Sequence, residues 1–207
     1  MSGRFRLCPD SRGIIAPKVS KQRIDEVVAE SLEVKKRFFV AHAGSLVTLA
    51  DLIADRVRKG GKVLTFGNGG SAADGQHFAG ELVGRFTKEG PPIPALALTT
   101  DSSIMTAVGN DYGYEYIFKR QVEAHARPAD IAIGFSTSGN SKNVLEAMQV
   151  AKSRGLLTVG LTGEGGGKLA ALVDHLFAAP SRNTPRIQEV HHLMNHILCE
   201  LLEERLR

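Results

Sequence analysis

Lys62–Phe66 (KVLTF), Asp130–Phe135 (DIAIGF) and Leu156–Leu161 (LLTVGL) decide the fold of this chain. Each is a short run of apolar residues at consecutive positions, and each gives way to a loop of small residues followed by a helix-like segment. Strands that are apolar on both faces and separated by helices belong to a parallel sheet covered on both sides. Two further runs, Ala95–Leu98 (ALAL) and His175–Ala178 (HLFA), bring the expected strand count to five. On the N-terminal side, two helical patterns are expected over Ser20–Val40 and Ser45–Arg58. In the second, Leu46, Leu49, Ile53 and Val57 recur at helical spacing until Gly60-Gly61 ends the run. On the C-terminal side a long helix is expected over Thr184–Arg207, with Pro185 in the first turn, where its missing N–H costs nothing. The expected fold is therefore α/β, a three-layer sandwich with a five-stranded parallel sheet, as one domain over residues 20–207.

The chain has 207 residues, 43% hydrophobic and 23% charged, which excludes disordered, fibrous and membrane-embedded classes. Its net charge of +4 invites a nucleic-acid reading, but residues 1–23 alone carry +5, so the rest of the chain sums to −1. The excess belongs to a basic N-terminal arm over residues 1–19, and no nucleic-acid partner is expected. Two cysteines, Cys8 and Cys199, are too few for a disulfide framework and fit a reducing cytoplasm. No run approaches 18 uninterrupted apolar residues, so no membrane span is expected. Pro9, Asp10, Arg12 and Pro17 interrupt any signal-peptide core.

In open parallel sheets, ligands bind beyond the carboxyl ends of the strands, where loops enter helix N-termini. Four such loops are rich in Gly, Ser, Thr and Asn: Gly67–Ser71, Thr99–Ser103, Ser136–Ser141 and Thr162–Gly167. The third places the hydroxyls of Ser136, Thr137, Ser138 and Ser141 at a helix start with no acidic residue among them, which suits a phosphate. Neither a G-x-x-x-x-G-K-[ST] nor a G-x-G-x-x-G pattern occurs at the first loop, so a phosphate on a small molecule is favoured over a nucleotide. The plainer alternative is that these residues serve only as turns and helix caps.

Two further groupings carry possible chemistry. His77 and Glu81, at i and i+4, share one helical face, the geometry for joint metal ligation or acid–base work, although such pairs are more often solvated surface pairs. On the last helix, three of the seven histidines, His191, His192 and His196, fall within six residues. There Gln188, His192 and His196 form one stripe at i, i+4 and i+8. Idle, partly exposed histidines are the alternative there.

Taken together, FGNGGS (66–71), ADGQHFAGE (73–81), VGNDYGY (108–114), STSGNS (136–141), Leu161-Thr162-Gly163 and RIQE (186–189) with His196 resemble the sugar isomerase, or SIS, domain family, and within it the phosphoheptose isomerases. The resemblance runs in unbroken order over about residues 20–206. It implies a flavodoxin-like nested sheet and a homotetramer. The implied activity is conversion of D-sedoheptulose 7-phosphate to D-glycero-D-manno-heptose 7-phosphate in bacterial heptose synthesis. Substrate binding is implied for Asn68, Gly69, Gly70, Ser71, Glu81, Asn110, Asp111, Ser136, Thr137, Ser138, Ser141 and Gln188. One zinc ion per subunit is implied at His77, Glu81, Gln188 and His196. Gly80 departs from a second acidic residue common among relatives, while Glu81 keeps the functional position. Isomerisation through an enediol needs two proton carriers, for which Glu81 is the expected base and His196 the expected acid. A non-catalytic member that binds sugar phosphates or associates with a replication initiator is the competing reading. Such relatives lack the acidic residue and the histidine that stand here at 81 and 196.

Overall fold

The computed structural model describes residues 20–207; the basic arm expected over residues 1–19 lies outside the described residues. The five expected strands form one parallel sheet: β1 (Val63–Gly67), β2 (Ala95–Ala97), β3 (Ile131–Ser136), β4 (Leu157–Thr162) and β5 (His175–Ala178). Their spatial order is β2-β1-β3-β4-β5, with Val63 opposite both Ala95 and Ile131, and Ile131 opposite Leu157. β1, β3 and β4 are buried at every position, as their continuous apolar runs require.

Helices α1 (Lys21–Arg58), α2 (Gly70–Val83) and α6 (Thr184–Leu206) cover one face, where Phe38, Leu49, Phe78, Ile133, Val159 and Leu198 share a core. Helices α3 (Ser102–Asp111), α4 (Ile117–His125) and α5 (Lys142–Ser153) belong to the other side, where Leu64, Phe66, Phe118, Ala132 and Met148 form a second core. The alternation of Ile131, Ala132 and Ile133 between the two cores is the period-2 pleat of a strand buried on both sides. Gly134 continues it: a Cβ there would meet Met148 Cε at 2.8 Å and Val144 Cγ1 at 3.0 Å, so its absence lets α5 approach the sheet.

Two expectations need correction. The two N-terminal helices are one 38-residue helix, because Gly44 faces open space and costs a helix interior only about 1 kcal/mol. The buried stripe from Val34 and Phe38 to Leu46, Leu49 and Ile53 carries the helix across it, with His42 packed between Phe38 and Phe177. That helix also contains an 18-residue window of mean hydropathy 1.4, long and apolar enough by composition to cross a bilayer despite its polar interruptions. Here its apolar stripe is buried against the sheet and α6. Finally, β4 leads only into a 3₁₀ turn over Gly167–Ala171 instead of a helix.

After β1 the chain moves outward to β2, then returns past β1 to β3 on its other side. The sheet therefore has a topological switch point between the carboxyl ends of β1 and β3, the position at which open α/β sheets bind ligands. The loops 67–71 and 136–141 flank that point. At the opposite end of α6, Glu203 accepts hydrogen bonds from the amides of Phe86, Thr87 and Lys88, each at 2.9 Å, and from Thr87 Oγ1 at 2.8 Å. Arg207 lies 2.5 Å from Glu203 and donates to the carbonyls of Lys88, Gly84 and Pro91. This buried pair ties the irregular segment after α2 to the last helix.

Candidate active site

The glycines of the first loop allow the chain to turn sharply from β1 into α2: Gly69 has φ +56°, a conformation that side chains disfavour. No side chain caps α2, and its first turn holds no acidic residue, so its N-terminal amides face the switch point as a positive dipole end. Asn68 exchanges amide hydrogen bonds with Asn143 at 2.8 and 2.9 Å and accepts one from Tyr114 Oη at 3.0 Å. These bonds fix the first loop to the start of α5. Ser71 is buried at 4% exposure.

The third loop has the same character. Ser136 and Ser141 hydroxyls are 2.9 Å apart, and Ser141 does not cap α5 with its side chain, so this N-terminus is also open to an anion. Asn68, Tyr114, Ser141, Lys142 and Asn143 line a cavity of about 240 Å³ beside it. The fourth loop acts as a buttress: Gly163 donates to the Thr137 carbonyl, Leu169 to that of Gly139, and Lys168 to Asn140 Oδ1. Gly139 has φ +65°, and a Cβ there would overlap the Gly166 carbonyl. Gly139→Ala is therefore expected to push the two loops apart and lower kcat/KM for a phosphorylated substrate roughly 10²-fold, the scale of a displacement near 1 Å. Steady-state kinetics and far-UV circular dichroism on the purified variant check this. The second loop behaves differently, since Asp101 caps α3 by accepting from the Ile104 amide at 2.9 Å. It follows the plainer capping reading.

The catalytic candidates meet where α2 packs on α6. His77 Nε2 and His196 Nε2 share a hydrogen bond of 2.8 Å, and Glu81 Oε1 lies 3.5 Å from His77 Nε2. The structure also adds His192 and Asp74. The His192 ring stacks on His77, and its Nδ1 is 3.2 Å from Asp74 Oδ1. The stripe Gln188, His192, His196 signalled this position; Asp74 carried no signal of its own. Burial lowers the pKa of His196 from the usual imidazole value; charge on His192 and His77 adds to the effect, and Glu81 and Glu200 oppose it. Asp74 moves up because burial outweighs its bond to His192. Phe86 covers one side of His196, ring centres 5.1 Å apart.

A cleft of about 540 Å³ opens over this cluster, lined by Lys35, Asp74, Gln188, Glu189, His192 and His196. Gln188 sits at its other end: a Cβ on Gly70 would lie 2.6 Å from Gln188 Nε2, so that amide abuts the start of α2. The cleft thus runs from the histidines toward the first loop, which Asn68 and Asn143 join to the third. Lys35 is the one cation among those lining residues, contributed by α1, and no sequence pattern marks it. Asn110 and Asp111 are not brought to this site: they bond each other at 2.8 Å on the exposed end of α3. The donor set at the α2–α6 contact, imidazole nitrogens with a carboxylate, is one that zinc accepts. His77, His192 and His196 each offer a nitrogen within 4.8 Å of the others.

Comparison with known proteins gives the same picture throughout. Residues 27–163 match the family described as the SIS domain. A phosphoheptose isomerase of Aquifex aeolicus is 53% identical over 183 residues, spanning 88% of this chain and 96% of that protein. The solved structure of a phosphoheptose isomerase from Neisseria gonorrhoeae superposes with a TM-score of 0.84 at 42% identity, covering 89% of this chain and 98% of that one. One from Francisella tularensis superposes with a TM-score of 0.85 at 36% identity, covering 88% and 97%.

Proposed function

Because this chain belongs to the phosphoheptose isomerases of the SIS domain family, we propose that it converts D-sedoheptulose 7-phosphate to D-glycero-D-manno-heptose 7-phosphate through an enediol, supplying heptose for lipopolysaccharide or another bacterial glycoconjugate. The observation that carries this reading is the run of contacts from Glu81 through His77 to His196, across two helices, beside a cleft whose lining includes His196 and Gln188, with the Gln188 amide against the start of the uncapped helix α2. The phosphate docks at Ser136, Thr137, Ser138 and Ser141 against the start of α5, where neutral donors and the helix dipole hold it without a basic cluster. Asn68, Gly69, Gly70, Ser71 and Gln188 bind the sugar hydroxyls along the cleft. Glu81 removes the proton from C1 of the ketose and returns it to C2, while His196 moves a proton between the two oxygens. Phe86 shields His196 from bulk water on one side.

Zinc fits the donor set at His77, Glu81 and His196, with Gln188 lining the same cleft. When bound, it would polarise the substrate oxygens and stabilise the charge that develops on them. A homotetramer agrees with the exposed apolar stripe on α1, where Ile24, Val28, Leu32, Val40 and Val47 are each 45–79% exposed. A cytoplasmic setting agrees with Cys199, whose buried thiol is pushed up to about 12 and so stays unreactive.

The test is a coupled assay with sedoheptulose 7-phosphate before and after dialysis against a chelator. Aldoheptose phosphate is expected from the untreated protein, with turnover lost on metal removal and restored by zinc. No turnover in any metal state would shift the reading to a sugar-phosphate-binding protein.

A further inference from the structure

Between the first and third loops runs a chain of polar contacts with no role in the chemistry so far assigned. Val144 donates its backbone N–H to Asn143 Oδ1 at 3.0 Å, and because a backbone N–H can only donate, this contact settles which end of the Asn143 side chain is oxygen. Asn143 Nδ2 then donates to Asn68 Oδ1 at 2.8 Å, and Asn68 Nδ2 donates back to Asn143 Oδ1 at 2.9 Å. The orientation of the Asn68 amide is thereby set from the backbone of α5. Asn143 is only 3% exposed, so water is kept from competing for these bonds.

Tyr114 completes the arrangement. Its hydroxyl donates to Asn68 Oδ1 at 3.0 Å from the 3₁₀ turn Tyr114–Tyr116 that follows α3. Asn110 and Asp111 bond each other on the exposed end of α3, so the motif VGNDYGY reaches the first loop through Tyr114. An amide oxygen has two lone pairs, and both on Asn68 are taken, by Asn143 and by Tyr114. Of its two N–H groups, one is held by Asn143. The other remains, on a half-buried side chain lining the cavity of about 240 Å³ shared with Tyr114, Ser141 and Asn143. Asn68 can therefore meet a ligand only as a donor, and the ligand oxygen opposite it must accept.

We infer that Asn143 and Tyr114 are positioning residues, which hold Asn68 in one orientation and present its free N–H to an oxygen of the sugar phosphate. This rests on the placement of substrate at Asn68 proposed above. The test is a pair of double-mutant cycles on the full-length protein in the coupled assay, with Asn68→Ala as the shared background for Tyr114→Phe and Asn143→Ser. Asn68→Ala is expected to raise KM roughly 30-fold, Asn143→Ser roughly 10-fold and Tyr114→Phe roughly fivefold. In each, kcat is expected to stay within about twofold of wild type, because a bond made equally to substrate and transition state is uniform binding. A folding defect would instead lower the active fraction and with it kcat. In the Asn68→Ala background, either second substitution is expected to change KM by less than about twofold. Tyr114 is 61% exposed and loses only its hydroxyl, so that variant should keep its fold, which circular dichroism verifies. Losses of the same size with and without Asn68 would overturn this inference alone. A wild-type KM in Asn68→Ala would overturn the placement of substrate at Asn68 as well.

Discussion

Replacing Glu81 with Gln is expected to lower kcat for sedoheptulose 7-phosphate by about 10³-fold while the folded protein still binds the sugar phosphate, since a positioned base contributes roughly 10²- to 10⁴-fold. The substitution keeps the shape of the side chain and removes its capacity to take a proton from carbon. The phosphate loop is unaffected because it is held by a different set of contacts, from Gly163 of the fourth loop and Lys168 and Leu169 of the 3₁₀ turn after it. Glu81 is also one of the residues that would hold zinc, so the variant is assayed at saturating zinc, its metal content is measured, and substrate affinity is measured separately by calorimetry. Near-normal turnover in that variant would move the base to another residue.

The largest effect on stability is expected at Glu203. It and Arg207 are buried, with side chains 2% and 1% exposed, and among the described residues Glu203 is the carboxylate paired with Arg207. Removing one partner of a buried pair typically costs about 3–5 kcal/mol, because the remaining charge is stranded. Glu203→Ala also leaves three loop amides without their acceptor. Urea unfolding at pH 7 measures the loss. The pH dependence has a definite sign. Burial alone would raise the Glu203 carboxyl, but the Thr87 hydroxyl and the amides of Thr87, Phe86 and Lys88 outweigh it and hold the group at about 2, below its ordinary 4.5. Its contribution is therefore complete above pH 4.5 and is lost as pH falls toward 2. Glu203→Gln should flatten that acid limb of the stability profile while lowering stability at neutral pH. The same latch reaches the active site, since it anchors the amide of Phe86, whose ring lies against His196.

Which of these features the sequence discloses follows from how local their causes are. The strands were legible because burial on both faces leaves an uninterrupted apolar run, and KVLTF, DIAIGF and LLTVGL each lie within one residue of the strand they form. The break assigned between two N-terminal helices was misleading, because Gly44 weakens a helix only locally while burial of Phe38 and Leu46 on either side holds it together. His77, Glu81 and His196 could be named from motif and helical spacing, but their contact could not, since it depends on how α2 crosses α6. His192 was visible in the Gln188–His196 stripe; its contact with Asp74, 118 residues away in sequence, was not. The Glu203–Arg207 pair reads in sequence as an ordinary solvated i,i+4 pair, and only the loop folded over it makes it a buried anchor.

Proton transfer through an enediol by Glu81, a base with partial access to solvent, leaves a mark on the product. The most direct measurement is the reaction of sedoheptulose 7-phosphate in deuterium oxide, with the aldose product followed by NMR during the first turnovers. The Glu81 side chain is 25% exposed, so a proton it removes from C1 has a route to exchange with solvent before delivery to C2. Deuterium at C2 of the product is the predicted result. Full conversion with only protium at C2 would contradict the account and point to direct hydrogen transfer between the two carbons.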